Sequence, residues 1–188
     1  MKPYVFNVAQ ITDSCIKWIQ EWMSKNGNDS TKVVIGISGG KDSTVVAALC
    51  AKAIGKERIL GVMMPNGIQP DISDSQKIVD FLQIPHITIN INNAYNGLTE
   101  EIKSKLDLES LSPQYLTNTP ARLRMTTLYG VGAIIGNARV VNTCNRSEDV
   151  QGYSTHYGDS AGDFAPVAKL TTEEVVAMGD YLGLPFDL

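Results

Sequence analysis

The sequence has little of what marks a secreted, membrane-bound or nucleic-acid-binding protein. Its three cysteines, Cys15, Cys50 and Cys144, lie far apart and form no Cys-x-x-Cys pair, which argues against a disulfide framework and against a zinc site. No apolar run approaches the roughly 20 residues that a transmembrane helix needs, and residues 1–10 lack the basic and apolar regions of a signal peptide. Lys and Arg total 16 against 20 Asp and Glu, a balance that does not favour a nucleic-acid surface. We therefore predict a soluble cytoplasmic protein that binds neither nucleic acid nor membrane.

Apolar residues are abundant and occur in short segments. They make up 43% of the 188 residues, enough for one domain that buries about 70% of its unfolded surface. Four strands are predicted, the first leading into residue 36 and the others at 59–64, 85–91 and 139–142. The run at 59–64 shows no alternation, which is typical of parallel strands buried on both faces. Helical periodicity or capping signals separate the strands, so we expect an α/β fold of three layers, a parallel sheet with helices on both faces, Rossmann-like in class.

Capping signals predict where several helices begin. Thr119 as N-cap and Pro120 at the first helical position predict a long helix that ends near Gly136. Arg122 and Arg124 are two positions apart on it, about 200° around the axis, so at most one of them can face a bound ligand directly. Two more helix starts have the spacing of a capping box, Ser73 with Gln76 and Thr171 with Glu174.

The stretch that organises the chain follows the first strand. It reads Ser38-Gly39-Gly40-Lys41-Asp42-Ser43 and leads directly into a predicted helix over 44–54. Backbone N–H groups at such a helix start have no intrahelical partner and the helix dipole adds positive potential, so an anion is the natural occupant. Gly39 and Gly40 allow the backbone to approach that anion closely or to adopt positive φ.

Two common phosphate loops do not fit this stretch. A Walker A loop needs four residues between its first Gly and the Gly-Lys pair, but only three separate Gly36 from Gly40, and Asp42 follows Lys41 where Ser or Thr is required. The dinucleotide fingerprint also fails, because Ser38 stands at its second Gly position. A plain Gly/Ser turn remains as an alternative, although such a turn rarely supplies two hydroxyls, a Lys and an Asp together.

A second polar stretch, residues 143–163, connects the fourth strand to the last helix. Strand-to-helix connections usually take two to about six residues, and longer ordered ones are commonly functional. The stretch begins at the C-terminal edge of the predicted sheet, beside the loop at 38–43. Asp42 and Glu148 can therefore share one Mg²⁺, with ATP phosphates and water as the other ligands. The alternative is that Glu148 and Asp149 form a solvated acidic turn.

Several motifs carry a resemblance to a known family. The loop at 38–43 resembles the SGGxDS loop of the ATP pyrophosphatases, enzymes that cleave ATP between its α and β phosphates. The stretches 65–69, 71–74, 118–125, 142–148, 152–153 and 157–163 are similar, in that order and over nearly the whole chain, to ammonia-dependent NAD synthetase. The resemblance implies an adenine nucleotide alpha hydrolase-like fold and the ATP- and Mg²⁺-dependent amidation of deamido-NAD with ammonia. NAD, AMP and pyrophosphate would be released by way of an acyl adenylate.

The same resemblance implies roles for particular residues. Asp42 and Glu148 would ligate magnesium and serve catalysis, Thr143 would contact ATP, and Arg122 and Asp163 would contact deamido-NAD. It also implies a homodimer, with which the apolar first helix and the glycines of the long helix are compatible, and a single domain over residues 1–188 without the family's C-terminal segment. The residues expected at the ATP phosphates are Gly36, Ile37, Ser38, Gly39, Gly40, Lys41, Asp42 and Ser43, and the helix glycines are Gly130, Gly132 and Gly136.

The chain departs from the family pattern at two lysines, and other functions share its loop. Many relatives have Lys at two positions where this chain has His156 and Thr172. Lys169 lies three residues before Thr172. GMP synthetase, asparagine-forming amidotransferases and tRNA-thiolating enzymes carry the same loop, but the acidic pI of about 5.1 and the isolated Cys144 argue against thiolation. A non-catalytic ATP-binding module is a further alternative, for which Glu148 would have no use. No glutamine-hydrolysing domain is recognisable, so free ammonia is the expected nitrogen source.

Overall fold

The fold is built on a parallel sheet that the sequence pattern anticipates. The computed structural model describes residues 5–70 and 72–185. In them four parallel strands, β1 (Lys32–Gly36), β2 (Ile59–Met63), β3 (His86–Thr88) and β4 (Ala138–Val140), pair in the order β3-β2-β1-β4. Val33 pairs with Ile59 and Lys32 with Ala138, so β1 is central. The chain moves outward from β1 to β3 and then returns to the other side of β1, which creates a crevice at the carboxyl ends of β1 and β4.

Helices cover both faces of this sheet, which confirms the three-layer α/β prediction. A 3₁₀ turn at Lys56–Arg58 precedes β2, and none of the helices in the described residues is both long and apolar enough to span a membrane. The α-helices are α1 (Val8–Asn26), α2 (Lys41–Ile54), α3 (Ile72–Leu82), α4 (Asn92–Leu106), α5 (Pro113–Ile135), α6 (Arg146–Gln151) and α7 (Thr172–Tyr181).

Alternate side chains of β1 enter two separate apolar cores. Val33 and Ile35 pack into the core under α1, α2, α3 and α7, while Val34 packs into the smaller core under α5. All three side chains are fully buried, as expected for β-branched residues in a strand with helices on both faces. The sheet therefore holds the carboxyl end of β1, and the loop that follows it, in a fixed position.

The long helix α5 begins earlier than the sequence signals indicate. The prediction of Thr119 as N-cap and Pro120 as first residue is wrong, because Ser112 is the N-cap, accepting a hydrogen bond from Tyr115 N at 3.1 Å, and Pro113 follows it. Pro120 lies inside the helix and is buried. A proline there removes the hydrogen-bond donor for the carbonyl four residues earlier, which weakens the helix locally. Packing of α5 against the sheet compensates for this loss.

Other boundaries also differ in detail. The Ser73–Gln76 capping box is wrong, because α3 already begins at Ile72 and Ser73 lies within its first turn. The box formed by Thr171 and Glu174 is confirmed at the start of α7. The helix predicted over 44–54 begins at Lys41, so half of the motif at 38–43 is helical. The strands β3 and β4 are each three residues long, shorter than predicted.

Candidate functional site

The loop at the carboxyl end of β1 is closed by its own hydroxyl groups. The Ser38 and Ser43 Oγ atoms lie 3.0 Å apart, and Gly40 N donates to Ser38 Oγ at 3.2 Å. Thr44 Oγ1 donates to Gly40 O at 2.8 Å. These bonds fold residues 38–43 into a compact turn that presents the amino end of α2 at the crevice, where the positive end of the helix dipole favours an anion.

Gly39 is the position in this turn that requires glycine. Its φ is +82°, and a Cβ there would lie 3.0 Å from Ser75 N and 3.2 Å from Asp74 Cβ. Gly40, by contrast, has φ of −76° and ψ of 162° and caps α2. The turn therefore depends on a backbone approach to the start of α3 that a side chain at position 39 would strain.

Asp42 and Glu148 are held near one buried asparagine. Asn145 Nδ2 donates to Asp42 Oδ1 at 2.9 Å, and Asn145 N donates to Glu148 Oε2 at 3.0 Å. Asn145 is the N-cap of α6, a helix that occupies part of the connection predicted as a long loop. The Asn145-x-x-Glu148 spacing is itself a capping-box signal that the sequence interpretation passed over, and it offers Glu148 a structural task beside the predicted metal role.

The donor set fits a magnesium ion that brings its own phosphate ligands. In the described residues, no cluster of three or more His, Cys, Asp or Glu side chains is placed to hold a metal. Magnesium usually needs only one or two carboxylates when substrate phosphates and water complete its octahedron. The hydrogen bonds of the described residues engage Oε2 of Glu148, not Oε1, and Asp42 Oδ2 faces Lys41 Nζ at 3.4 Å.

A cavity of about 390 Å³ opens beside the loop, at the crevice between β1 and β4. This volume lies within the range of small-molecule sites. Residues from the ends of β1 and β2, from α3, from α5 and from the segment after β4 surround it. The lining includes five predicted ATP residues, Gly36, Ile37, Ser38, Ser43 and Thr143. The other lining residues are Met63, Met64, Pro65, Gln69, Ile72, Ser75, Ala121, Arg124, Met125, Leu128, Val141, Asn142, Asp159 and Ala161.

Arg124, which the sequence interpretation did not select, is the arginine that lines the cavity. Its Nε donates to Met64 O at 3.0 Å, which fixes the guanidinium at the end of β2. Burial lowers the pKa of Arg124, while nearby Asp159 acts in the opposite direction; an arginine remains charged throughout. Arg122 instead donates from Nε to His156 O at 3.1 Å. The two side chains thus face different surroundings, as their helical spacing requires.

Asp163, predicted to contact the dinucleotide, is tied to the sheet edge. Its Oδ2 accepts from Val140 N at 2.7 Å and its Oδ1 from Tyr129 OH at 3.2 Å. Burial of Tyr129, reinforced by the charge of Asp163, raises the pKa of that phenol. The structure therefore gives Asp163 a part in closing the end of β4, and it is not among the residues that line the cavity.

Asn142 organises the segment that follows β4. Its Nδ2 donates to Asp159 O at 2.8 Å and to Ala161 O at 3.0 Å, while its Oδ1 accepts from Cys144 N at 2.8 Å. The Cys144 thiol donates to Asp159 O at 3.2 Å. Burial raises the pKa of Cys144, so the thiol stays protonated, which argues against a nucleophilic role for it.

The family comparison agrees with this geometry. The sequence model of the NAD synthase family matches residues 11–188. The chain belongs to the NAD synthase family. It is 38% identical over 173 residues to an NH(3)-dependent NAD(+) synthetase of Pyrococcus horikoshii, covering 92% of this chain and 64% of that relative. The chain thus spans somewhat under two thirds of the length of this relative.

Solved NAD synthase structures have the same fold. The NH3-dependent NAD synthetase of Campylobacter jejuni superposes with a TM-score of 0.86 at 32% identity, over 96% of this chain and 76% of that one. A structure named NMN synthetase, from Francisella tularensis, superposes with a TM-score of 0.85 at 30% identity, over 96% and 73%. The fold is therefore that of the adenine nucleotide alpha hydrolases, as predicted.

Proposed function

We propose that this chain catalyses the ATP-dependent amidation of deamido-NAD by ammonia, giving NAD, AMP and pyrophosphate. One observation carries the proposal: the Ser38–Ser43 turn and the capped Glu148 helix lie at one crevice, joined through Asn145 and Asp42 and bordered by a cavity of about 390 Å³. The names of the NAD synthase relatives support the choice of reaction.

The reaction consists of two nucleophilic substitutions, the first at the α phosphorus of ATP and the second at the acyl carbon. A carboxylate oxygen of deamido-NAD attacks the α phosphorus of ATP, the bond from that phosphorus to the bridging oxygen breaks, and pyrophosphate leaves with the electron pair. The nitrogen of ammonia then attacks the acyl carbon, the bond to the AMP oxygen breaks, and the nitrogen loses a proton to solvent. Neither step needs a protein nucleophile, so orientation and charge stabilisation account for the rate.

Residues at the crevice can supply that orientation and charge. The turn at 38–43 and the amino end of α2 would hold the departing pyrophosphate, and Lys41 adds a cation beside Asp42 at 3.4 Å. Thr143 and Arg124 would contact ATP in the cavity, and Arg122 with Asp163 would contact the dinucleotide. A magnesium ion, when bound by Asp42 and Glu148, supplies neutralisation of phosphate charge.

Replacing one carboxylate tests the proposal against a simple binding module. Glu148→Gln keeps the side-chain size and an oxygen for the Asn145 N–H bond, so we expect α6 to remain capped. NAD formation should fall below detection while ATP affinity stays within a few-fold. Unchanged turnover would remove Glu148 from the proposed role. ATP binding by the unaltered chain with no AMP released in any substrate mixture would favour a module that never cleaves ATP.

A second candidate substrate follows from one relative. The Francisella tularensis protein that superposes at a TM-score of 0.85 is named NMN synthetase, so nicotinic acid mononucleotide is an alternative acyl substrate with the same carboxylate. Release of AMP should be measured with ATP, Mg²⁺ and ammonium and either acid. A kcat/KM at least tenfold higher for deamido-NAD supports the primary proposal, and the reverse ranking supports the mononucleotide. Stimulation by a different acceptor, such as xanthosine monophosphate, whose reacting group is a ring carbonyl, would favour another enzyme of the SGGxDS class.

We further propose that the protein is a homodimer that pairs through α4 and α5. Apolar side chains on these helices are exposed, among them Ile134 at 88% and Leu106 at 64%, and a Cβ at Gly130 would meet nothing within 4 Å. The first helix, by contrast, buries Ile19 and Met23 inside the chain. Sedimentation velocity at micromolar concentration should give a dimer, and Ile134→Glu should give a monomer. A wild-type monomer would contradict this.

A cytoplasmic location is consistent with three free thiols.

A further inference from the structure

Asn145 is a polar side chain with no exposed surface at the centre of the site. Its Oδ1 accepts from Ser147 N at 2.8 Å and from Glu148 N at 3.2 Å. Thr172 Oγ1 also lies 3.4 Å from this oxygen. Because the two backbone donors require an oxygen on that side, the amide nitrogen must point the other way, toward Asp42.

Each predicted magnesium carboxylate gives one oxygen to Asn145. Asp42 Oδ1 accepts from Asn145 Nδ2 at 2.9 Å, and Glu148 Oε2 accepts from Asn145 N at 3.0 Å. Among the hydrogen bonds of the described residues, the Asn145–Asp42 bond is the one that connects the segment 36–44 with the segment 143–163. The Asn145 side chain therefore links the start of α2 to the start of α6.

We propose that Asn145 is a positioning residue that orients Asp42 and Glu148 for one divalent cation. The inference rests on the proposed function of these two carboxylates. By occupying one oxygen of each carboxylate, Asn145 would leave two oxygens for a shared cation, Glu148 Oε1 and Asp42 Oδ2, the second of which faces Lys41 Nζ at 3.4 Å. Hydrogen bonds of this kind around metal ligands are commonly worth a factor of about 10–100 in metal affinity.

A purely structural role is the competing explanation, because Asn145 also caps α6. Asn145→Ser separates the two roles: serine caps a helix as well as asparagine does, but it has no amide group to donate to Asp42. Asn7→Ser is the matched control, since Asn7 caps α1 through Gln10 N at 3.1 Å and contacts neither carboxylate. If Asn145→Ser does not fold, judged by circular dichroism, Asn145→Thr replaces it.

The test measures Mn²⁺ binding by electron paramagnetic resonance, with α,β-methylene ATP bound and no dinucleotide present. We expect Asn145→Ser to bind Mn²⁺ about 10–100 times more weakly than wild type, while Asn7→Ser matches wild type. Affinity for the nucleotide in EDTA should stay within twofold. In turnover assays, the Mg²⁺ concentration for half-maximal rate should rise, excess Mg²⁺ should restore part of kcat, and the KM for deamido-NAD should not change.

Each outcome separates the positioning role from the proposed function. Wild-type Mn²⁺ affinity in Asn145→Ser would overturn the positioning role and leave Asn145 as a helix cap. Loss of Mn²⁺ binding in Asn145→Ser but equal loss in Asn7→Ser would also overturn it, since the effect would follow capping in general. Failure of the wild-type protein to bind Mn²⁺ with the nucleotide would overturn the carboxylate assignment itself.

Discussion

Gly39→Ala should destabilise the protein far more than Gly40→Ala, although the two glycines are adjacent. At position 39 the backbone has φ of +82°, and the new Cβ would lie 3.0 Å from Ser75 N. Placing an L-residue in this region costs roughly 1–2 kcal/mol, and displacing the start of α3 adds about 1–3 kcal/mol of overpacking. The reduced entropy of the unfolded chain returns only about 0.4–1 kcal/mol. We therefore expect a net loss of about 3 kcal/mol from the free energy of unfolding.

Gly40→Ala is the matched control within the same turn. Gly40 has φ of −76°, which alanine adopts freely, and a Cβ there would meet only Ser38 Oγ, at 3.3 Å. The weaker N-cap preference of alanine and the entropy gain of about 0.4–1 kcal/mol nearly cancel.

Urea unfolding followed by circular dichroism measures both variants. For a chain of this length the Gly39→Ala loss corresponds to a melting temperature lower by about 6–12 °C. Two variants that agree within 1 kcal/mol would refute this account of the turn, because the positive φ and the contact with α3 would then carry no cost.

Three further outcomes are expected. Burial raises the pKa of Cys50 to about 12, so this thiol should resist iodoacetamide at pH 8 in the folded protein, and rapid labelling of native Cys50 would contradict this. Because the thiol loses its proton near pH 9 in the unfolded chain but only near pH 12 in the folded one, the free energy of unfolding should decrease between pH 9 and 12. Thr171→Ala removes the acceptor for Glu174 N and should cost about 1 kcal/mol in urea unfolding without altering ATP affinity; a large change in that affinity would place Thr171 in the site. Arg124→Ala should raise the KM for ATP more than that for deamido-NAD, Arg122→Ala should do the reverse, and parallel effects of the two variants in steady-state kinetics would contradict their separate placement.

Some of the site could be predicted because its signals are local. The Ser38–Ser43 motif predicts a turn at a helix start, since glycine, hydroxyl and first-turn residues act on the backbone within a few positions. The box of Thr171 and Glu174 works in the same way, and both are found where expected. The Asn145–Glu148 box is an equally local signal, so it too is predictable from the sequence.

Other features depended on packing between distant segments. Thr119 and Pro120 have the form of a helix start, but both are buried within α5, and contacts with the sheet stabilise the helix through them. Which of Arg122 and Arg124 lines the cavity depends on how α5 packs against the end of β2, because Arg124 bonds to Met64, which lies 60 residues earlier in the chain. No local pattern shows that Asp163 would bond to the edge of β4.

The sequence by itself determined the class of fold, the order of strands along the chain and the turn formed by residues 38–43. Hydrophobic periodicity and turn chemistry act over a few residues, and they are written directly in the residue types. Only the tertiary structure decided which polar and charged groups meet, because partners can lie far apart in the chain. Asn145, for example, bonds to Asp42, which lies 103 residues earlier. Their distance is set by the parallel sheet, whose strand order places the ends of β1 and β4 side by side.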